Sequence, residues 1–135
     1  MTSKIYDLTV QTYGRSQLLN ITGEVERIVS QSGIKEGTVL IFTMHTTAGL
    51  TINENADPSV VEDILMELDK IVPLNDNYRH TEGNSAAHIK SSLFGISLTV
   101  FINSGRLLLG TWQGIYFCEF DGPRQRKVLV KVVAE

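Results

Sequence analysis

Residues 96–133 of this chain read ISLTVFINSGRLLLGTWQGIYFCEFDGPRQRKVLVKVV, and this stretch decides the class of fold. Its apolar and β-branched residues predict four strands, at 96–103, 106–111, 115–121 and 126–133. Glycine-containing turns at 104–105, 114 and 122–123 separate these strands, so we expect neighbouring strands to pair as antiparallel hairpins. The C-terminal half is therefore predicted to be mainly β-sheet.

The N-terminal half adds further strands and the helices. Alternating or β-branched apolar residues predict strands at 4–12, 38–45 and 50–53. Apolar residues at helical spacing predict a helix at 57–72, which Asp57 caps and Pro58 begins, because proline has no N–H to lose at the first position. Two shorter helices are predicted at 22–33 and 84–94, with Thr22 and Asn84 as caps.

The arrangement of these elements predicts an α+β fold. The segment 38–45 is apolar on both faces, with Val39 and Ile41 on one and Leu40 and Phe42 on the other, which is typical of a central strand. No repeat or linker divides the chain, so we expect a single domain over residues 1–135. That domain would consist of largely antiparallel β-sheets with two to three helices packed against them.

Composition excludes several classes of function. Twelve lysines and arginines against 15 aspartates and glutamates give a net charge of −3 and a pI of about 5.6, so we expect no nucleic-acid partner. No apolar run is long enough to cross a membrane, and the N-terminus lacks an apolar leader. A lone cysteine, Cys118, cannot form an intramolecular disulfide. We therefore expect a cytoplasmic protein without a membrane partner.

Three histidines are the first candidates for chemistry. His45 ends the predicted central strand before a loop of small residues, His80 lies in a polar loop, and His88 lies in the first turns of the third helix. Three imidazoles can hold a zinc ion and leave one coordination position open. No closely spaced histidine pair is present, so the spacing alone favours three separate surface or core histidines.

Oxygen and cationic groups form two further candidate clusters. Asp57 is either a helix cap alone or, with the polar residues at 53–55, part of an oxygen site for Mg²⁺. Around the turn at 122–123, Glu119 is followed by Arg124 and Arg126, whose guanidinium groups suit phosphate or carboxylate. Ion pairs on the surface of a hairpin are the simpler interpretation. Trp112 could line a site for a flat ligand or belong to the core.

Several blocks of the sequence together resemble one family. The chain contains HTTAGL at 45–50, NENADP at 53–58, YRH at 78–80, EGN at 82–84, AHIKSS at 87–92 and LGTWQG at 109–114, and the block 119–126 completes the set. Over essentially its whole length, this sequence resembles the YjbQ family, whose members are often called secondary thiamine-phosphate synthases. It departs from many relatives at Phe101 and Asn103, where proline is common, but this difference lies outside the polar blocks.

The resemblance implies a compact α+β fold that assembles as a homotrimer, and a small phosphorylated heterocyclic substrate. It implies an activity that joins an aminopyrimidine-methyl diphosphate to a thiazole phosphate and releases pyrophosphate. A divalent metal, Zn²⁺ or Mg²⁺, is expected on His45, His80 and His88. The residues expected to take part in catalysis are His45, Asp57, His80, His88 and Glu119. The residues expected to bind substrate are Asn84, Trp112, Arg124 and Arg126.

Two other functions fit the same residues. One is a non-catalytic trimer that binds a metal or a small anion, which would bind metal tightly without turning over any substrate pair. The other is a metal-dependent phosphoester hydrolase that uses a metal-bound water at the three histidines. Chelation would abolish the hydrolase reaction.

Overall fold

A computed structural model describes residues 4–135 of the chain. Residues 1–3, which belong to the segment expected to lack an apolar leader, lie outside the described part. The strands and helices are, in chain order, β1 Ile5–Gln11, β2 Gln17–Asn20, α1 Thr22–Ser32, β3 Gly37–Phe42, β4 Ala48–Glu54, α2 Pro58–Ile71, α3 Ser85–Phe94, β5 Ser97–Asn103, β6 Arg106–Leu107, β7 Gln113–Glu119 and β8 Gln125–Ala134.

The strands form two antiparallel sheets that pack face to face. The larger sheet has the order β1-β8-β3-β5-β6, and the smaller one has the order β2-β7-β4. Every second residue of β8, from Val128 to Val132, points into the core, where it meets Ile41 of β3 and Phe117 of β7. The α+β class is thus confirmed, and β3 lies in the middle of its sheet as its apolar sequence predicts.

Helices α2 and α3 cover the outer face of the smaller sheet. Leu68 of α2 packs on Tyr116 and Cys118, which project from β7 on the side away from the main core. Helix α3 packs against β4, where the Ser91 hydroxyl donates a hydrogen bond to the Ala48 carbonyl at 2.6 Å. Because helices lie on one side and the core on the other, residues 114–119 of β7 are all buried.

The outer face of the larger sheet has no helix over it. Leu40 and Phe42 of β3 and Phe101 of β5 remain exposed on this face. Strand β3 is apolar on both faces, but only the face that carries Val39 and Ile41 is buried. None of the helices in residues 4–135 is both long and apolar enough to cross a membrane.

The hairpin prediction was right for one pair of strands and wrong for the others. Strands β5 and β6 pair directly, but β7 and β8 belong to different sheets, since the chain crosses from the smaller to the larger sheet at residues 120–124. The strand predicted at 106–111 is only Arg106–Leu107. Most pairings join distant segments, such as β1 with β8 and β2 with β7.

Two of the three predicted caps lie at the N-cap position of their helix, but only one of them forms a capping hydrogen bond. The Asp57 side chain accepts a hydrogen bond from the Ser59 N–H at 3.0 Å, which confirms the start of α2. Thr22 is instead the first residue of α1, and its hydroxyl accepts a hydrogen bond from the Ile115 N–H. Asn84 is the N-cap residue of α3, but its side chain forms no capping bond, and its amide Nδ2 donates to Asp121.

Candidate functional site

A polar cleft opens where four connecting segments meet: the loop between β1 and β2, the loop after β3, the loop before α3 and the turn after β7. It has a volume of about 620 Å³ and contains Arg15, His80, Asn84, His88 and Arg124. The hydroxyl-bearing loop that follows His45 forms part of its wall. Four of the residues predicted to form a site therefore line one cleft, and Arg124 joins the other three from a distant part of the chain.

His80 and His88 form the histidine side of the cleft. Their rings meet edge to face with centroids 5.4 Å apart and planes at 87°. His80 Nε2 lies 3.8 Å from the Glu82 carboxylate. This side of the cleft can therefore present imidazole N–H groups to an anion.

His45 lies beside this pair, and one of its nitrogens is already in use. It shares a neighbouring cavity with His88. The Lys127 backbone N–H donates to His45 Nε2 at 3.0 Å, so Nε2 has no proton and Nδ1 carries it in the neutral ring. Burial, with the positive charges of Arg126 and Arg124, lowers the pKa of His45, although Glu119 acts in the opposite direction. The ring is therefore held in its neutral form.

The three histidines do not form a three-ligand metal site in this geometry. Within residues 4–135, no three side chains of histidine, cysteine, aspartate or glutamate lie close enough together to hold a metal ion. His80 and His88 are neighbours, while the Nε2 lone pair of His45 accepts the backbone hydrogen bond. The donor set therefore does not fit a zinc ion held by three histidines.

Glu119 and Arg126 form a buried ion pair beneath the cleft. Both side chains are almost completely inaccessible, at 0% and 2% exposure. Arg126 Nε donates to Glu119 Oε1 at 2.8 Å, and its Nη2 donates to Oε2 and to the Thr47 hydroxyl. Thr12 and the Asp121 N–H complete the partners of the carboxylate. This arrangement favours a positioning role for both residues over direct contact with a ligand.

The electrostatics of Glu119 follow from these contacts. Burial by itself raises the pKa of a carboxyl group. The hydrogen bonds from Arg126, Asp121 and Thr12 outweigh that effect, so the pKa of Glu119 is lowered overall. The residue is therefore an anion that joins the ends of two sheets, since β7 carries Glu119 and β8 carries Arg126.

Asp121 connects the buried pair to the surface of the cleft. Its side-chain Oδ2 accepts from Asn84 Nδ2 at 2.9 Å and from Arg124 Nη2 at 3.1 Å. Arg124 Nε also donates to the Asp121 carbonyl, and about half of the Arg124 side chain is exposed. These bonds fix the orientation of the guanidinium group while one side of it faces the solvent.

Two predicted site residues lie elsewhere in the chain. Asp57 caps α2 on the surface, and Trp112 is 63% exposed just before β7. They are near each other, because the Asn55 N–H donates to the Trp112 carbonyl. The cleft lies at the other end of β7, six residues further on, which is roughly 20 Å at ~3.3 Å per strand residue. Within one chain, Asp57 and Trp112 therefore do not contribute to the cleft.

A second cavity, of about 450 Å³, adjoins the cleft and contains residues that the sequence analysis missed. Lys90 and Asp69 line it, and Arg15, Asn84 and Asp121 line both cavities. Lys90 is 5% exposed and donates to Asp69 at 2.7 Å. Its spacing of three and four residues from Ala87 and Ala86 places it on the buried face of α3, a signal the sequence did contain. No local pattern marks Arg15.

Comparison with known proteins places the chain among relatives of the same length. The family description "UPF0047 protein YjbQ-like" matches residues 6–135. A UPF0047 protein of Methanocaldococcus jannaschii is 50% identical over 97% of this chain and 95% of its own length. The UPF0047 protein YugU of Bacillus subtilis is 52% identical over 93% of this chain and 96% of its own.

Solved structures agree in fold. An uncharacterised YjbQ/UPF0047 protein of Clostridium acetobutylicum is 53% identical and has a TM-score of 0.93 over 95% of this chain and 99% of its own. A protein of unknown function from Sulfolobus solfataricus has a TM-score of 0.93 at 35% identity, over 99% of this chain and 100% of its own. From the family match and these identities, the chain belongs to the YjbQ-like UPF0047 family.

Proposed function

We propose that the cleft binds small phosphorylated molecules. The observation that supports this most strongly is the position of Arg15: its guanidinium group has no hydrogen-bond or ion-pair partner among residues 4–135 and lines both cavities. The carboxylates nearby have partners, since Asp121 accepts from Arg124 and Glu82 faces His80. The uncapped N-terminus of α3 lies at the same cleft and favours negative charge.

The reaction that we propose is the thiamine-phosphate synthase type expected from the family. The ring nitrogen of a thiazole phosphate forms a bond to the exocyclic carbon of an aminopyrimidine-methyl diphosphate. The bond from that carbon to the diphosphate oxygen breaks, and its electron pair leaves with pyrophosphate. As this bond breaks, the carbon becomes cationic and negative charge collects on the leaving group. Fixed positive groups at that position lower the barrier.

The chain's own residues suit this step without a protein nucleophile. Arg124 and Arg15 would hold the leaving diphosphate, and His88 and His80 would donate hydrogen bonds to it. Cys118 takes no part, because it is buried and burial raises the pKa of its thiol far above the ordinary range. Glu119 would act through its neighbours by keeping the residues after β7 in place.

A divalent cation stays a prediction of this proposal. Mg²⁺ commonly binds through substrate phosphates together with one or two carboxylates, and such a cation would arrive with the diphosphate. Metal analysis of protein purified without a chelator or an affinity tag tests the zinc alternative. Near-stoichiometric zinc that is lost in both His45→Ala and His88→Ala would restore a histidine metal site. Its absence would leave the histidines as phosphate or acid–base contacts.

Binding of pyrophosphate is the direct test of the proposed site. We expect Arg124→Ala to weaken pyrophosphate binding in calorimetry by about tenfold or more, because a charge-assisted contact is lost. Arg106→Ala is the matched control, since the Arg106 side chain is 80% exposed and pairs with Glu26, away from the cleft. Equal losses in both variants, or no binding to the wild type, would contradict the proposal.

Turnover separates the enzyme from a binding protein. Wild-type protein with Mg²⁺ and both heterocyclic substrates should release pyrophosphate, and His88→Ala should reduce this rate without changing the assembly. Tight pyrophosphate binding with no condensation under any metal would instead support the non-catalytic anion-binding alternative. The homotrimer stays a prediction that analytical ultracentrifugation tests. The exposed apolar face around Phe42 and Phe101 is consistent with self-association.

A further inference from the structure

The cavity beside Lys90 holds a buried ammonium group that the fold does not require. Lys90 is 5% exposed, yet its partner, Asp69, has a side chain that is 67% exposed. Burying a charge is costly, and a bond to a solvent-exposed carboxylate returns little of that cost. A methionine would fill the same space on the helix without this penalty. A structural ion pair therefore does not account for the lysine.

The ammonium group also has more N–H donors than it has acceptors among the described residues. Lys90 Nζ carries three N–H groups, and Asp69 Oδ1 is its one hydrogen-bond acceptor among the described residues. The nitrogen lies 6.0 Å from the centre of the Phe120 ring, which adds an attraction that uses no hydrogen bond. Lys90 lines the cavity, so the remaining N–H groups are within reach of a ligand there.

The charges around this cavity favour an anion. Two cations, Arg15 and Lys90, and two carboxylates, Asp69 and Asp121, line it, and Arg124 reaches Asp121 from the adjoining cleft. Asp121 is held by Arg124 and Asp69 by Lys90, which leaves one positive charge without a counter-ion. The oxygens of a phosphate would accept from both Lys90 and Arg15.

We propose that the Lys90 cavity is a second anion subsite, which binds the phosphate monoester of a second substrate. This inference rests on the proposed function, in which two phosphorylated molecules must meet. The two cavities share Arg15, Asn84 and Asp121, so a diphosphate beside Arg124 and a monoester beside Lys90 would be adjacent. Asn84 Oδ1 is buried without a hydrogen-bond partner among residues 4–135, at the boundary between them. An amino or hydroxyl group of a bound heterocycle would supply its missing donor.

Calorimetric titration with methyl phosphate and with pyrophosphate tests the subsite. Lys90→Met should weaken methyl phosphate binding by about tenfold and leave pyrophosphate binding within about twofold. Arg124→Ala should weaken pyrophosphate binding by about tenfold or more. Lys70→Met is the matched control, because Lys70 is an exposed lysine on α2, and it should change neither affinity. We also expect the Tm of Lys90→Met to equal or exceed that of the wild type.

Asp69→Asn provides a second test that does not depend on how Lys90→Met folds. Removing the competing carboxylate should tighten methyl phosphate binding by about threefold or more. Unchanged methyl phosphate affinity in Lys90→Met, or in Asp69→Asn if the first variant does not fold, overturns the subsite. Wild-type protein that binds pyrophosphate through Arg124 but no methyl phosphate up to about 10 mM also overturns it. Failure to bind pyrophosphate at all overturns the proposed function instead.

Discussion

Replacing Glu119 by glutamine tests whether the buried ion pair organises the end of the cleft. In the native protein, four donors face this carboxylate: two N–H groups of Arg126, the Asp121 N–H and the Thr12 hydroxyl. The variant Glu119→Gln has the same shape but only one acceptor oxygen. Its amide nitrogen would face donors, and the guanidinium group of Arg126 would lose its counter-ion inside the protein.

The expected loss of stability is large. Breaking a buried pair by removing one partner costs about 3–5 kcal/mol, because the remaining charge has neither water nor a counter-ion. For a chain of this length, that loss corresponds to a fall in Tm of roughly 12–20 °C. Replacing both partners by methionine should cost less than Glu119→Gln alone, since no buried charge is left without a partner.

Urea unfolding followed by circular dichroism, at one fixed protein concentration, measures these differences. Glu82→Gln is the matched control, because Glu82 belongs to the same cleft but its side chain is 71% exposed. We expect the control to stay within about 0.5 kcal/mol of the wild type. A Glu119→Gln variant within about 1 kcal/mol of the wild type would refute the reasoning. A double methionine variant that loses as much stability as Glu119→Gln, or more, would refute it as well.

The pH dependence of the same variant provides an independent check. The pKa of Glu119 is lowered in the folded protein, so the folded state binds this proton less readily than the unfolded chain. The stabilisation is therefore complete above the ordinary glutamate pKa and is lost as the pH falls through the lower, folded value. Glu119→Gln has no such titration, so its stability should fall less steeply than that of the wild type on acidification below about pH 4.5.

Three further predictions concern other buried or constrained positions. The pKa of His45 is lowered on folding, so its stabilising contribution is complete above about pH 6.5 and declines below it. The variant His45→Gln should therefore lose less stability than the wild type between about pH 7.5 and 5.5. Equal losses in the urea midpoints of the two proteins would argue against this. Cys118 should react with a thiol reagent only as fast as the protein unfolds, because burial raises its pKa, and rapid labelling of folded protein would contradict this placement. Gly49→Ala should destabilise the protein by about 1–3 kcal/mol, since the new Cβ would lie 2.8 Å from the Gly95 carbonyl oxygen. A loss below about 0.5 kcal/mol in thermal unfolding would show that α3 adjusts freely.

Local patterns in the sequence were sufficient for most of the individual elements. Asp57 and Pro58 predicted the start of α2, and Gly33 predicted the end of α1, because each acts on neighbouring N–H or C=O groups. Alternation of apolar residues predicted most of the strands, but it did not predict β2. The α+β class followed from these elements, and it did not require knowledge of which strands pair.

The candidate site was predictable only in part. The cleft gathers His80, Asn84, His88 and Arg124, which the resemblance to a family indicated. It adds Arg15, which no local pattern marks. Asp57 and Trp112 were predicted for the same site, but they lie at the other end of β7. The length of that strand separates them from the cleft, and the sequence motifs give no measure of this distance.

The sequence by itself determined the elements and the fold class, whereas the tertiary structure decided which side chains meet. Glu119 and Arg126 resemble a surface pair on a hairpin, yet they are buried because their strands lie in different sheets that close over them. Thr12 reaches Glu119 from 107 residues away in the chain. Secondary structure depends on interactions over a few residues, but a binding cleft depends on long-range pairing, which only the packing of the whole core fixes.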